Sequence, residues 1–229
     1  MIQVLSTKIL SPLQKAPFEK AGISLEEYNA INIDFSSFAL DLELDNYIFT
    51  SQNAVRGFLR VFDDLPLPEK RKEALEKNCF CVGMKTSGLL KENGLKVVKT
   101  TKNSKELANF IAKNHKNESF FFICGNRRRA ELPQILTDNK VRFMEVVAYR
   151  TTANTKRFEE AYNGLLFFSP SGVQSYTASN RLGESTAFCI GETTAAESSK
   201  YTNNIVIAKQ QSIESVVDSV VNHYTKELQ

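Results

Sequence analysis

One polar turn is written twice in this chain. Residues 49–58 read FTSQNAVRGF and residues 167–176 read FFSPSGVQSY. A second pair follows in the same order, FCVGMKT at 80–86 and FCIGETT at 188–194. In each case an apolar run of buried-strand character gives way to Ser or Gly, the residues that open helices. A helix start presents backbone N–H groups without intrahelical partners and a partial positive charge, so it suits an anion. The pattern puts Ser51 and Ser169 at strand ends and Asn53 and Ser171 in the first helical turns, with Pro170 fitting a turn that needs no N–H at that point. Serine at such a position also caps its own helix, and capping and anion binding draw on the same groups. Thr86, Thr193 and Thr194 would add hydroxyls beside those N–H groups, and Gly83 and Gly191 would let a carboxylate or phosphate approach the backbone. Four such starts, two per half, predict an anion-binding cleft between two related lobes.

Other chemistry is less well supplied. Neither the Walker spacing nor G-x-G-x-x-G occurs, so nucleotide binding has no motif behind it. The run CGNRRR at 124–129 is a further strand-to-helix corner. It offers Asn126 and Arg127 as an electrostatic draw for an anion, or simply a solvated face. A net charge of +3 and the isolation of this cluster argue against nucleic acid. Tyr149, within VAYRT at 147–151, is an aromatic in a strand and reads first as core, but its phenol can donate or accept a proton. His115 and His223 fall late in helices, on faces expected to be solvated. No Ser-His-Asp, Cys-His or paired-carboxylate set can be drawn, so any reaction must work by positioning and electrostatics. Cys79 and Cys81 form C-x-C without a second pair to match, so no metal site is expected.

The elements that must position these residues alternate almost throughout. Strands are predicted at 2–5, 30–35, 47–50, 79–82, 96–98, 120–124, 142–151, 165–168, 187–190 and 204–207. Helices are predicted at 11–22, 52–62, 85–93, 104–114, 127–138 and 155–163. A last helix begins after Ser212, with Ile213, Val216, Val217, Val220, Val221 and Tyr224 at helical spacing. Such alternation predicts an α/β fold with parallel sheets, whose ligands sit beyond the carboxyl ends of the strands. The first strand–helix–strand unit is too short to stand alone, so it is expected to join the C-terminal half. That places one lobe at 1–34 and 152–229 and the other at 37–147, with crossings near 33–36 and 147–152. With 42% hydrophobic and 24% charged residues the chain reads as soluble and globular. Four cysteines in apolar runs, an N-terminus without a signal-peptide core and no bilayer-length apolar stretch predict a reduced, cytoplasmic protein that does not enter a membrane.

Taken in order, FTSQNAVRGF, CVGMKTSGLLKENG, VVAYRT, FFSPSGVQSY and CIGETTAAES resemble the uroporphyrinogen-III synthases, and the resemblance extends over nearly the whole chain. It implies two related flavodoxin-like α/β/α lobes joined by a two-stranded antiparallel linker, with the active site in the cleft. It implies a cyclising lyase that closes hydroxymethylbilane to uroporphyrinogen III, inverting the last pyrrole ring and losing water, in tetrapyrrole (haem, sirohaem or cobalamin) synthesis. No metal or organic cofactor is implied. The small-molecule substrate would be handed over by hydroxymethylbilane synthase, to a monomer that binds neither nucleic acid nor membrane. Carried onto this sequence, the resemblance makes Tyr149 the group that assists departure of the hydroxyl. Ser51, Thr86, Ser171, Thr193 and Thr194 become substrate contacts, mostly through backbone N–H, joined by Asn53, Asn126, Arg127 and Ser169. The rival reading is a non-catalytic two-lobed module that binds an acidic small molecule and has no use for Tyr149.

Overall fold

The computed structural model describes residues 1–226. In chain order the elements are β1 (Gln3–Ser6), α1 (Pro12–Lys20), β2 (Ser24–Glu27), β3 (Ile31–Phe35), β4 (Asn46–Phe49), α2 (Gln52–Asp63), α3 (Pro68–Glu76), β5 (Asn78–Val82), α4 (Met84–Glu92) and β6 (Lys96–Thr101). They continue with α5 (Ser104–Asn114), β7 (Ser119–Gly125), α6 (Glu131–Asp138), β8 (Arg142–Ala153), β9 (Gly164–Phe167), α7 (Pro170–Thr177), β10 (Thr186–Cys189), α8 (Glu192–Ser198), β11 (Ile205–Ile207) and α9 (Ile213–Lys226). The chain divides into two compact units, residues 1–32 with 152 onward, and residues 33–151.

The first unit holds a five-stranded sheet in the order β11-β10-β9-β1-β2 with every pairing parallel. The second holds the order β3-β8-β7-β4-β5-β6, parallel from β8 through β6, with β3 at the edge beside β8. Numbered within each unit, these are 2-1-3-4-5 and, leaving β3 aside, 3-2-1-4-5. In both, successive connections diverge to either side of one strand pair: β1 and β9 in the first unit, β4 and β7 in the second. Loops leaving the carboxyl ends of such a pair splay apart and open a crevice there.

The composition of the central strands follows from their place. All four residues of β4 and all seven of β7 are buried, as expected of parallel strands covered on both faces. Alternate residues feed opposite faces. Tyr47, Phe49 and Phe121 pack with Phe58 of α2, while Ile48, Phe120 and Phe122 pack with Leu107 and Ile111 of α5. In the first unit Leu5, Leu165 and Phe167 line one face, and Val4, Leu166 and Phe188 pack with Val216, Val217 and Val220 of α9 on the other.

Several sequence expectations need correction. The second strand of the first unit is β2, not the stretch 30–35, which instead forms β3 of the other sheet. With the sequence SLEE on a sheet edge, β2 has no apolar alternation to announce it. Helix α3 is absent from the sequence expectations, because Ala74 is its only buried residue and it carries no apolar stripe. Residues 155–163 are not helical. There Phe158 N–H donates to Asn180 Oδ1 at 2.9 Å and Asn180 Nδ2 donates to Lys156 O at 2.7 Å. The aromatic rings of Phe158 and Tyr162 turn inward onto each other, and Phe158 also meets the rings of Tyr28 and Tyr176. Helix α6 starts at Glu131, so Arg127, Arg128 and Arg129 occupy the preceding turn and not a helical first turn. Neither histidine is fully solvated. His115 lies edge-on to Phe80 and bonds Glu118 at 2.8 Å, and His223 packs edge-on against Phe188 and Tyr224.

Candidate functional site

Ser51 follows β4 with extended backbone (φ −156°, ψ 154°), and its Oγ accepts the Ala54 N–H at 3.1 Å, capping α2. The same Oγ lies 3.0 Å from the phenol oxygen of Tyr149. The serine is therefore shared between the start of a helix and the one hydroxyl read as a proton donor. Tyr149 comes from β8, two strands away, and is brought opposite Gly125 at the end of β7. Asn126 ties the corner together. Its N–H donates to Tyr149 O at 3.2 Å and its Oδ1 accepts the Thr151 N–H at 2.8 Å. The side-chain oxygen of Asn126 thus helps hold the backbone that follows Tyr149 in place.

Ser51, Arg127 and Tyr149 line a cavity of about 370 Å³ at the carboxyl ends of β4, β6 and β7. Lys102, Asn103, Ser104, Arg128 and Arg129 complete its polar wall. Arg128 is bound by Glu145 through two bonds, Nε to Oε2 at 2.5 Å and Nη2 to Oε1 at 3.1 Å. That contact raises the Arg128 pKa further and keeps the guanidinium charged. Under the cavity the Cys124 thiol is pushed up to about 11, first by burial and then by Glu145. It is a neutral core group.

Three residues of this wall escape the sequence reading: Lys102, Asn103 and Ser104. The strand before them is expected to stop at residue 98, because KTTK reads as polar. In fact β6 runs to Thr101, and Thr100 is accommodated by donating its hydroxyl to Ser87 Oγ at 3.0 Å. Asn103 then caps α5 by accepting the Glu106 N–H at 2.9 Å. The available signal is a third strand-to-helix corner, TTKNS, in the same unit.

Asn53 and Thr86 belong to the same unit but do not line this cavity. Asn53 Oδ1 accepts from Arg56 at 3.0 Å. Thr86 lies in the first turn of α4, 5% exposed, after Gly83, whose φ of 85° is the left-handed backbone that glycine tolerates.

In the other unit Ser169 repeats the role of Ser51, with extended backbone and Oγ accepting the Gly172 N–H at 3.1 Å. Here the neighbour at the switch point is Thr7, whose N–H and hydroxyl both donate to Leu166 O, at 3.1 and 2.6 Å. Ser171 is half-buried in the first turn of α7 and Thr193 is exposed in that of α8. Thr194 is 1% exposed and its N–H donates to Gly191 O at 3.0 Å. Its hydroxyl is a core group and its amide is spent inside the helix start, which leaves Thr193 as the outward member of the pair. A cavity of about 1000 Å³ in this unit is lined by residues 157–162 and 176–185. These precede β9 and β10, at the amino ends of the strands, and include none of Ser169, Ser171, Thr193 or Thr194.

Cys79, Cys81, Cys124 and Cys189 are all buried free thiols, each with its pKa raised chiefly by burial. Among the described residues, no helix is long and apolar enough to cross a membrane.

No curated protein sequence matches this chain. Among solved structures, the uroporphyrinogen-III synthetase of Helicobacter pylori is similar with a TM-score of 0.75 at 19% identity, covering 97% of this chain and 100% of that one. A mutant uroporphyrinogen III synthase of the extremely thermophilic bacterium Thermus thermophilus is similar with a TM-score of 0.71 at 15% identity, covering 99% of this chain and 100% of that one. At such identities these likenesses speak for a shared mixed α/β fold with parallel sheets. The family model described as uroporphyrinogen-III synthase HemD matches residues 13–218, most of the chain. With that span matched, the chain belongs to the uroporphyrinogen-III synthase family, the cyclising lyases of tetrapyrrole synthesis.

Proposed function

We propose that this chain binds hydroxymethylbilane by its carboxylates and closes it to uroporphyrinogen III with Tyr149 as the proton donor. The observation that carries the reading is the Ser51–Tyr149 contact at 3.0 Å on the wall of a cavity that also presents Lys102, Arg127 and Arg129. A poly-acid substrate suits a wall of this charge, and charge-assisted hydrogen bonds contribute roughly 1.5–3 kcal/mol each. Ser51, Asn53, Thr86, Arg127, Ser169, Ser171 and Thr193 are the proposed contacts, largely through the amides of first helical turns. Asn126 and Thr194 act behind them, as supports of the local backbone. The lobes are taken as residues 1–34 with 152–229 and 37–147, flavodoxin-like and joined by an antiparallel two-stranded linker near 33–36 and 147–152. The 2-1-3-4-5 strand order of the first unit supports that comparison. The setting is a cytoplasmic monomer supplied by hydroxymethylbilane synthase.

The steps follow from the groups present. Tyr149 gives its proton to the hydroxyl of the substrate's hydroxymethyl carbon, the C–O bond breaks, and water leaves. Ser51 can donate to the phenol oxygen while its own oxygen accepts the Ala54 N–H, so charge growing on the phenol oxygen is met by a hydrogen bond already in place. The azafulvene cation left behind is attacked by the substituted carbon of the last ring, giving a spiro intermediate. The bond from that carbon to the neighbouring methylene bridge then breaks, the bridge carbon bonds instead to the ring's unsubstituted alpha carbon, which inverts the ring, and the proton lost from that alpha carbon restores the phenol. Binding both ends of a flexible chain supplies the orientation that ring closure needs.

Hydroxymethylbilane generated by a coupled deaminase and incubated with the protein, followed by oxidation and separation of porphyrin isomers, tests the reading. Isomer III is expected. Isomer I alone, the product of unassisted closure, would overturn the enzyme reading in favour of a binder or another role.

A further inference from the structure

The position of the Tyr149 phenol has a specific structural cause. Along most of its length β8 pairs with β7 residue for residue, Ser119 with Arg142 through Cys124 with Val147. The register then slips, and Gly125 pairs with Tyr149. Ala148 is the extra residue, a bulge, and bulges re-aim the side chains that follow them. Ala148 is fully buried, its carbonyl accepts the Ser36 N–H at 3.0 Å, and Gly57 of α2 is pressed against its back. A Cβ at Gly57 would fall 2.8 Å from Ala148 O. On the other side, the ring of Tyr149 lies where the side chain of Gly125 would be. A Cβ there would fall 2.4 Å from Cζ and 2.7 Å from Oη. The glycine is not needed for backbone freedom, since Gly125 does not adopt left-handed backbone. What it supplies is empty space.

We infer that Gly125 is a positioning residue: the missing side chain is the seat on which the Tyr149 ring lies, and the Ala148 bulge turns the ring onto that seat so that its hydroxyl meets Ser51. A methyl group at 125 evicts the ring from the seat without straining its own backbone, and the phenol then loses Ser51 and its aim into the cavity. The kinetic part of this inference rests on the assignment of Tyr149 as proton donor.

The test is a set of variants, Gly125→Ala, Tyr149→Phe, Tyr149→Ala and the two doubles, read by isomer-III formation with kcat and KM separated and by urea midpoint. Gly125→Ala is expected to lower kcat about 10- to 100-fold, reaching the low end of what a positioned proton donor contributes. KM should stay within about twofold, since the seat itself binds no carboxylate. Gly125→Ala/Tyr149→Phe should be no slower than the slower single variant. The urea midpoint should fall for Gly125→Ala in the wild-type background and be restored in Gly125→Ala/Tyr149→Ala relative to Tyr149→Ala, because the clash has gone. Wild-type kcat in Gly125→Ala, or an equal loss of stability with and without the ring, would overturn the inference. Wild-type kcat in Tyr149→Phe would instead overturn the proton-donor assignment and the kinetic part with it, leaving the stability cycle to decide whether Gly125 seats the ring.

Discussion

Ser51 and Ser169 form a matched pair in which the same substitution should have two different costs. Both are half-buried N-caps with extended backbone, and each accepts an N–H three residues on at 3.1 Å. Removing an N-cap hydroxyl costs about 1 kcal/mol, within a range of roughly 0.5–2. Ser51 carries a second bond, to the Tyr149 phenol at 3.0 Å, and a hydrogen bond of this kind contributes a further ~1 kcal/mol. Ser51→Ala should therefore destabilise its helix start by about 2 kcal/mol and Ser169→Ala by about 1. Hydrogen exchange at the Ala54 and Gly172 amides reads each site separately, so a chain of two units need not unfold in one step. The difference corresponds to about fivefold greater loss of protection at Ala54 than at Gly172, since each 1.36 kcal/mol is tenfold. In a Tyr149→Phe background the Ser51→Ala loss should shrink toward that of Ser169→Ala, whose Gly172 amide also keeps Ser169 O as an acceptor at 3.0 Å, with a coupling near 1 kcal/mol between positions 51 and 149. Equal losses at both sites with the tyrosine intact would refute the reasoning: the phenol would then be held by its seat on Gly125 alone, and Ser51 would be a cap and nothing more.

Three further outcomes are expected. Replacing Lys102, Arg127 and Arg129 with Gln one at a time should raise KM several-fold with little change in kcat, and added salt should narrow the difference from wild type, which steady-state assays at two ionic strengths would reveal. Asp45 accepts the Ser119 N–H at 2.9 Å and the Ser119 hydroxyl at 2.7 Å, and these bonds lower its pKa below the ordinary carboxylate value. Its contribution is thus present above the unfolded pKa and lost as pH falls through the lower folded one, so Asp45→Asn should flatten the acid limb of a urea-midpoint profile between about pH 5 and pH 2. The four buried thiols should resist an aromatic disulfide reagent at pH 8 in the native protein and react fully once unfolded, because burial holds their pKa values up; rapid native labelling would contradict that burial.

Periodicity and turn chemistry reach far into this protein. The apolar runs of β4, β7, β9 and β10 are buried on both faces and could hardly be anything but central strands, and Ser51 and Ser169 sit where short polar side chains satisfy the first amides of helices. The elements that sequence reading misses, β2, α3 and the non-helical stretch at 155–163, share one property: none carries an apolar pattern that reports its state. The same limit applies to the site. That FTSQN would cap a helix is legible; that its serine would meet a tyrosine 98 positions away is not. Nor could any spacing rule reveal that Gly125 is kept small to seat that ring, that Thr194 turns inward while Thr193 turns out, or that TTKNS closes the wall beside three arginines. Local sequence specifies which backbone groups need partners. Which side chains converge on them is decided by strand order and register, and here a single-residue slip between β7 and β8 aims the phenol at the cavity.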